Sequence, residues 1–119
     1  MAVRCLIVDD NRRFLRAART LLEREGLTIS GVAMTSADAL RQAAALRPDV
    51  VLVDVALGDE SGFELAQRLV ADQGHKGVIL ISTRSEAELA EAIRLSAAAG
   101  FLAKSELCAE AIRGLLDGS

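Results

Sequence analysis

Cys5-Leu6-Ile7-Val8-Asp9-Asp10-Asn11 places four consecutive apolar residues directly before two acids and an amide. A strand with one face in water alternates apolar and polar side chains. A run without alternation is buried on both faces, as in a parallel sheet covered by helices. The pattern returns in Val50-Val51-Leu52-Val53-Asp54 and Val78-Ile79-Leu80-Ile81-Ser82, and more weakly over 101–103 before Lys104. Residues 28–33 are read as a fifth strand. Between these runs, apolar residues recur with helical spacing over 12–25, 36–47, 62–72, 86–98 and 106–116. Ser61 with Glu64 and Ser85 with Glu88 have the spacing of capping boxes, and Gly26 marks a helix stop.

The order is therefore (βα)5. Right-handed crossovers make it a doubly wound five-stranded parallel sheet with helices on both faces, and the strand order expected is the flavodoxin-like 2-1-3-4-5. Its 119 residues are read as one domain, 1–119, because no Pro- or Ser-rich linker interrupts them and the one proline is Pro48. Half of the residues (51%) are apolar and 26% are charged, which excludes a disordered chain. The formal net charge of -3 gives no basic footprint for gripping nucleic acid directly. The longest uncharged stretch, 26–37, is far shorter than the roughly 20 apolar residues of a membrane span. With no signal-peptide pattern at Met1, the expectation is a cytoplasmic protein. Cys5 and Cys108 have neither metal-ligand nor CxxC spacing and read as buried free thiols.

Open sheets of this kind bind ligands beyond the carboxyl ends of their strands. Those ends carry Asp9, Asp10 and Asn11 after the first strand, Asp54 after the third, Ser82 and Thr83 after the fourth and Lys104 after the fifth. Adjacent first and third strands bring Asp9, Asp10 and Asp54 together. Two unit charges ~4 Å apart repel by roughly 4 kcal/mol at an effective dielectric of 20, so the cluster requires protons, a cation or a divalent metal. All-oxygen ligation points to Mg²⁺. Singly, each residue has a plainer use: Asp9 and Asp10 as helix caps, Ser82 and Thr83 as turn residues, Lys104 as a solvated charge. Lysine is, however, rare here, since 12 of the 14 cations are arginine.

With Asp9-Asp10, Asp54, Ser82, Phe101 and Lys104 in this order, and 44 residues from Asp10 to Asp54, the chain resembles the receiver domain of bacterial two-component response regulators. The resemblance implies that Asp54 accepts a phosphoryl group from a phosphohistidine on a sensor histidine kinase. It implies Mg²⁺ held by Asp10 directly, by Asp9 through water, by Asp54 and by the main-chain carbonyl of Ala56. Lys104 and Ser82, with Thr83 as the alternative hydroxyl, would bind the phosphoryl oxygens, and Phe101 would be the switch aromatic. It further implies a signalling switch that turns over only its own phosphoryl group and is not otherwise an enzyme. A homodimer and a DNA-binding output domain outside this chain are family analogies. Two other readings are an aspartyl-nucleophile phosphatase, which lacks its second acid because position 56 is Ala, and a phosphorylation-independent interaction module.

Two positions depart from the family pattern. Ser105 replaces a proline commonly joined by a cis bond; a cis bond to a non-proline residue costs ~2.5–4 kcal/mol, so a trans Lys104–Ser105 bond is expected, with Ser105 capping the last helix. Gly58 replaces a frequent proline, which predicts a looser segment over 58–61. His75 has no acid or hydroxyl partner in view and reads as a surface histidine without a role.

Overall fold

The computed structural model describes residues 2–117; Met1, Gly118 and Ser119, the ends of the expected domain, lie outside the described residues. Five strands form one parallel sheet: β1 (Arg4–Val8), β2 (Thr28–Ala33), β3 (Val50–Asp54), β4 (Val78–Ser82) and β5 (Gly100–Ala103). Their order is 2-1-3-4-5, as expected. Every residue of β3 and β4 is buried, which explains the missing alternation. The pleat divides these strands between two layers. Leu6, Val8, Val51, Val53, Val78, Leu80 and Phe101 face helices α2 (Ser36–Leu46) and α3 (Gly62–Gln73). Cys5, Ile7, Val50, Leu52, Ile79 and Ile81 face α1 (Arg12–Arg24) and the last helix, α5 (Ala109–Asp117). Strand β2 reads weakly because it is interrupted: its register against β1 slips between Ile29 and Gly31, and the hydroxyl of the extra residue, Ser30, donates to the Cys5 carbonyl.

Several local expectations fail for identifiable reasons. The fourth helix, expected over 86–98, is only α4 (Ala90–Leu95). The Ser85–Glu88 capping box does close in both directions, at 3.2 and 3.3 Å, but the residues after it form turns. Leu89 and Ile93 are the apolar anchors of this segment, and the Ser96 hydroxyl ends the helix by donating to the Ile93 carbonyl. The last helix starts at Ala109 because residues 104–106 form a 3₁₀ turn that lowers Leu107 into the core. Ser105 therefore caps nothing. The half-buried Cys108 does so instead, its Sγ accepting the Ala111 N–H at 3.4 Å, while Glu25 accepts the Ala109 N–H. Cys5 is buried as expected, and burial pushes its thiol up to about 12.

His75 is not at the surface: it is 6% exposed. Gly74, at φ +73°, turns the chain back under α3, where the His75 N–H donates to the Leu69 carbonyl and its Nε2 meets Gln73 Oε1 at 3.1 Å. The Lys104–Ser105 bond is trans, as expected. The segment over 58–61, read as looser, belongs to a two-stranded antiparallel ribbon of Ala56–Leu57 against Glu60–Ser61, with Gly58 at φ +61° in its turn. No helix among the described residues is long and apolar enough to cross a membrane.

Candidate functional site

β1 and β3 lie side by side, with Val8 level with Val53, so the residues that follow each strand emerge at one point. Asp9, Asp10 and Asp54 each place a carboxylate oxygen within 4.8 Å of the others. Asp9 is fully buried, Asp54 is 7% exposed and Asp10 is open to solvent. Local backbone geometry aims them. The Asn11 N–H donates to Asp9 Oδ1 at 2.9 Å and the Ala56 N–H donates to Asp54 Oδ1 at 3.1 Å, which leaves the second oxygen of each facing the gap.

Lys104 fills part of that gap from the end of β5. Its Nζ donates to Asp54 Oδ2 at 3.3 Å and stands 2.6 Å from Asp9 Oδ2. The second contact is an ion pair without hydrogen-bond alignment, so Asp9 Oδ2 is buried with no donor directed at it. Burial first, and then the nearby Asp9 charge, raise the Asp54 carboxyl above its ordinary range; the Ala56 N–H and Lys104 work against them. An under-coordinated buried oxygen in a set of three hard carboxylates fits a small dication. Two oxygens on opposite sides of Mg²⁺ are separated by about 4.2 Å, within the limit this cluster sets.

Ser82 ends β4 and is buried; its register partner on β5 is Ala103, the residue before Lys104. Its Oγ accepts the Arg84 N–H at 3.0 Å, which leaves the hydroxyl proton to give. Thr83 lies beyond the strand and is exposed, so of the two hydroxyls Ser82 is the one held at the strand end. Phe101 is 7% exposed, packed into the layer that contains Leu80 and Leu89, on the same strand that ends before Lys104. Ala56 takes part through its backbone N–H.

Three residues at the site escape sequence reasoning. Gly62 starts α3 where a Cβ would fall 1.9 Å from the Asp54 carbonyl, so only glycine lets that helix close on the end of β3. Glu60 ties the ribbon beside Asp54 to α2 by accepting the Ser36 N–H at 3.0 Å. Phe14 lies one turn into α1 with its ring centroid 4.2 Å from Lys104 Nζ. Its helical spacing marked it only as an apolar position. Nothing in sequence alone pairs it with a residue ninety positions away.

Comparison with known proteins agrees with this fold. Residues 5–113 match the family described as the response regulator receiver domain. The chain is similar to the response regulator GacA of Pseudomonas aeruginosa, 31% identical over 98% of this chain and 56% of that protein. It is also similar to the solved receiver domain of a modulated diguanylate cyclase from Desulfovibrio desulfuricans, at 31% identity and a TM-score of 0.82 over 99% of this chain and 93% of that one. The receiver domain of a NarL response regulator from Mycobacterium tuberculosis superposes with a TM-score of 0.81 at 29% identity, covering 98% of this chain and 95% of that one. The chain spans about half the length of the curated relatives it matches.

Proposed function

The chain belongs to the response regulator receiver domain family, and from that membership we propose that Asp54 is its phosphoacceptor, with Asp9, Asp10, Ser82 and Lys104 as the groups that make acceptance possible. The observation that carries this reading is the convergence of three carboxylates within 4.8 Å of one another against a single ammonium. Receiver domains take their phosphoryl group from a sensor histidine kinase. In the proposed reaction an Asp54 carboxylate oxygen attacks the phosphorus of the phosphohistidine, the P–N bond breaks, and the imidazole leaves with its electron pair and takes a proton. The product is a mixed anhydride on Asp54.

Such a transfer needs little covalent chemistry from the protein, mainly positioning and charge neutralisation. Lys104 supplies an ammonium already beside Asp54, and the Ala56 N–H fixes the carboxylate plane. Ser82 has a proton to donate to a phosphoryl oxygen. Asp10, Asp9 and Asp54, with the Ala56 carbonyl, would hold Mg²⁺, which when bound neutralises charge on the transferring group. Family resemblance assigns Asp10 to direct binding and Asp9 to binding through water, and the exposure of Asp10 leaves its carboxylate open to an incoming ion.

Afterwards the anhydride holds roughly two negative charges. One charge-assisted bond of roughly 1.5–3 kcal/mol and one hydroxyl bond of roughly 0.5–1.5 kcal/mol reach part of the ~5.5 kcal/mol that carries a two-state domain from 1:99 to 99:1. Phe101, buried on the strand that leads to Lys104, would report the movement to an output surface. The same proposal covers a domain that turns over only its own phosphoryl group, works in the cytoplasm, forms homodimers and serves an output module on a longer polypeptide. The partial coverage of its relatives supports that last point.

Incubation with Mg²⁺ and a small acyl phosphate tests the reading. Intact-mass analysis is expected to show one added phosphoryl group, lost on removal of Mg²⁺ and in Asp54→Ala. Uptake that persists in Asp54→Ala would move the acceptor elsewhere.

A further inference from the structure

Lys104 has a third neighbour besides its two carboxylates, the face of Phe14, and a closed circuit through Asp9 and Asn11 joins that ring to the ammonium. Asp9 pairs with Lys104 through Oδ2 and accepts the Asn11 N–H through Oδ1. Asn11 is the N-cap of α1, its side chain accepting the Phe14 N–H at 3.1 Å. The Phe14 ring then returns to Lys104 Nζ, 4.2 Å from its centroid. One aspartate therefore anchors both the ammonium and the first turn that carries the ring over it. The chain has three phenylalanines and no tryptophan or tyrosine, so an aromatic face in this place is a scarce resource.

We propose that Phe14 is a positioning residue for phosphoryl acceptance, its ring face holding the Lys104 ammonium between Asp9 and Asp54. The assignment rests on the reading of Asp54 as acceptor and Lys104 as phosphoryl ligand. Asp9 Oδ2 is the nearer of the two oxygens, 2.6 Å against 3.3 Å, and Coulomb attraction alone draws the ammonium toward it and away from the acceptor. A ring face opposes that drift. Its quadrupole attracts the cation without neutralising it, whereas a third carboxylate would consume the charge that an incoming phosphoryl oxygen needs. The Lys104 side chain is 13% exposed, so the contact is largely screened from water, the condition under which it is strongest. An aliphatic side chain at 14 would fill the same space and exert no such pull.

Two variants of the full chain separate ring from bulk. F14L keeps an apolar side chain against α1's layer, and F14Y keeps the ring. In metal-free protein, the Lys104 ε-methylene proton resonances are expected upfield in the wild type and in F14Y, and near random-coil values in F14L. With Mg²⁺ and acetyl phosphate, F14L is expected to take up the phosphoryl group about three- to tenfold more slowly, with F14Y within about twofold of wild type. Wild-type resonances and rate in F14L overturn the assignment, as does an F14Y that keeps the shifted resonances but is as slow as F14L. A wild type that takes up no phosphoryl group overturns the acceptor reading itself, which the metal-free spectra distinguish from a failure of the Phe14 contact.

Discussion

Asp54→Asn is expected to stabilise the metal-free protein, because the charge of the acceptor is held in place against its own energetics. Lys104 at 3.3 Å attracts Asp54 by about 5 kcal/mol at an effective dielectric of 20, while Asp9, within 4.8 Å, repels it by at least about 3.5 kcal/mol. Asp10 adds a smaller repulsion that water screens, so the Coulomb contributions nearly cancel. Burial decides the balance, and burial disfavours the charged carboxylate. Asparagine keeps an oxygen for the Ala56 N–H and removes the charge. The expected gain is about 1–2 kcal/mol, or about 4–8 °C in Tm for a domain of this size.

Two conditions should abolish that gain. Because the folded pKa of Asp54 is raised, its destabilising effect is present above that pKa and disappears as pH falls through it and the carboxyl takes a proton in both states. Wild type and variant should converge on acidification through the carboxylate range. Mg²⁺ should reverse the order, since a ligand at about 100 times its Kd stabilises by about 2.7 kcal/mol and the variant offers it one carboxylate fewer. Thermal denaturation followed by circular dichroism, with EDTA or Mg²⁺ at neutral and acid pH, reads all three comparisons. A variant less stable than wild type in EDTA near neutrality, or a gain unchanged by acid and by Mg²⁺, would refute the argument.

The remaining predictions concern positions outside the charged cluster. Burial and the nearby Arg47 charge lower the pKa of His75 below its ordinary 6.5, so the folded state resists its protonation and stability falls as pH drops below that value. His75→Gln should flatten this acid-side slope in denaturant titrations; an unchanged slope would show that the imidazole binds its proton equally well in the folded and unfolded states. Gly62→Ala drives a Cβ to within 1.9 Å of the Asp54 carbonyl and should cost about 3 kcal/mol or more while weakening phosphoryl uptake. Native stability and uptake in that variant would mean that α3 can withdraw from β3 without consequence.

Much of the site was legible because strand ends are predictable. Unbroken apolar runs located β1, β3 and β4, and the residue after each run had to emerge at the same edge of the sheet, which is why Asp9, Asp54, Ser82 and Lys104 could be named together. The errors fall where a local signal met a distant neighbour. His75 lacks a hydrogen-bonding partner close in sequence other than Gln73, and its burial depends on a left-handed Gly74 folding it beneath α3. The capping box at Ser85 formed as written, yet a cap fixes the start of a helix and says nothing of whether the following turns have a surface to pack on. Ser105 lost its capping role to Cys108 because Leu107 had to reach the core first.

Sequence alone determined the (βα)5 order and the chemistry available at the sheet's edge, since hydrophobic periodicity and residue type act over a few neighbours and need no partner from afar. Tertiary structure decided how that chemistry is shared: Lys104 nearer Asp9 than Asp54, one Asp9 oxygen without a donor, a phenylalanine over the ammonium and a glycine at the start of α3. Those features depend on ångström-scale approach between segments dozens of residues apart, where packing of the whole domain sets the distances and no local pattern encodes them.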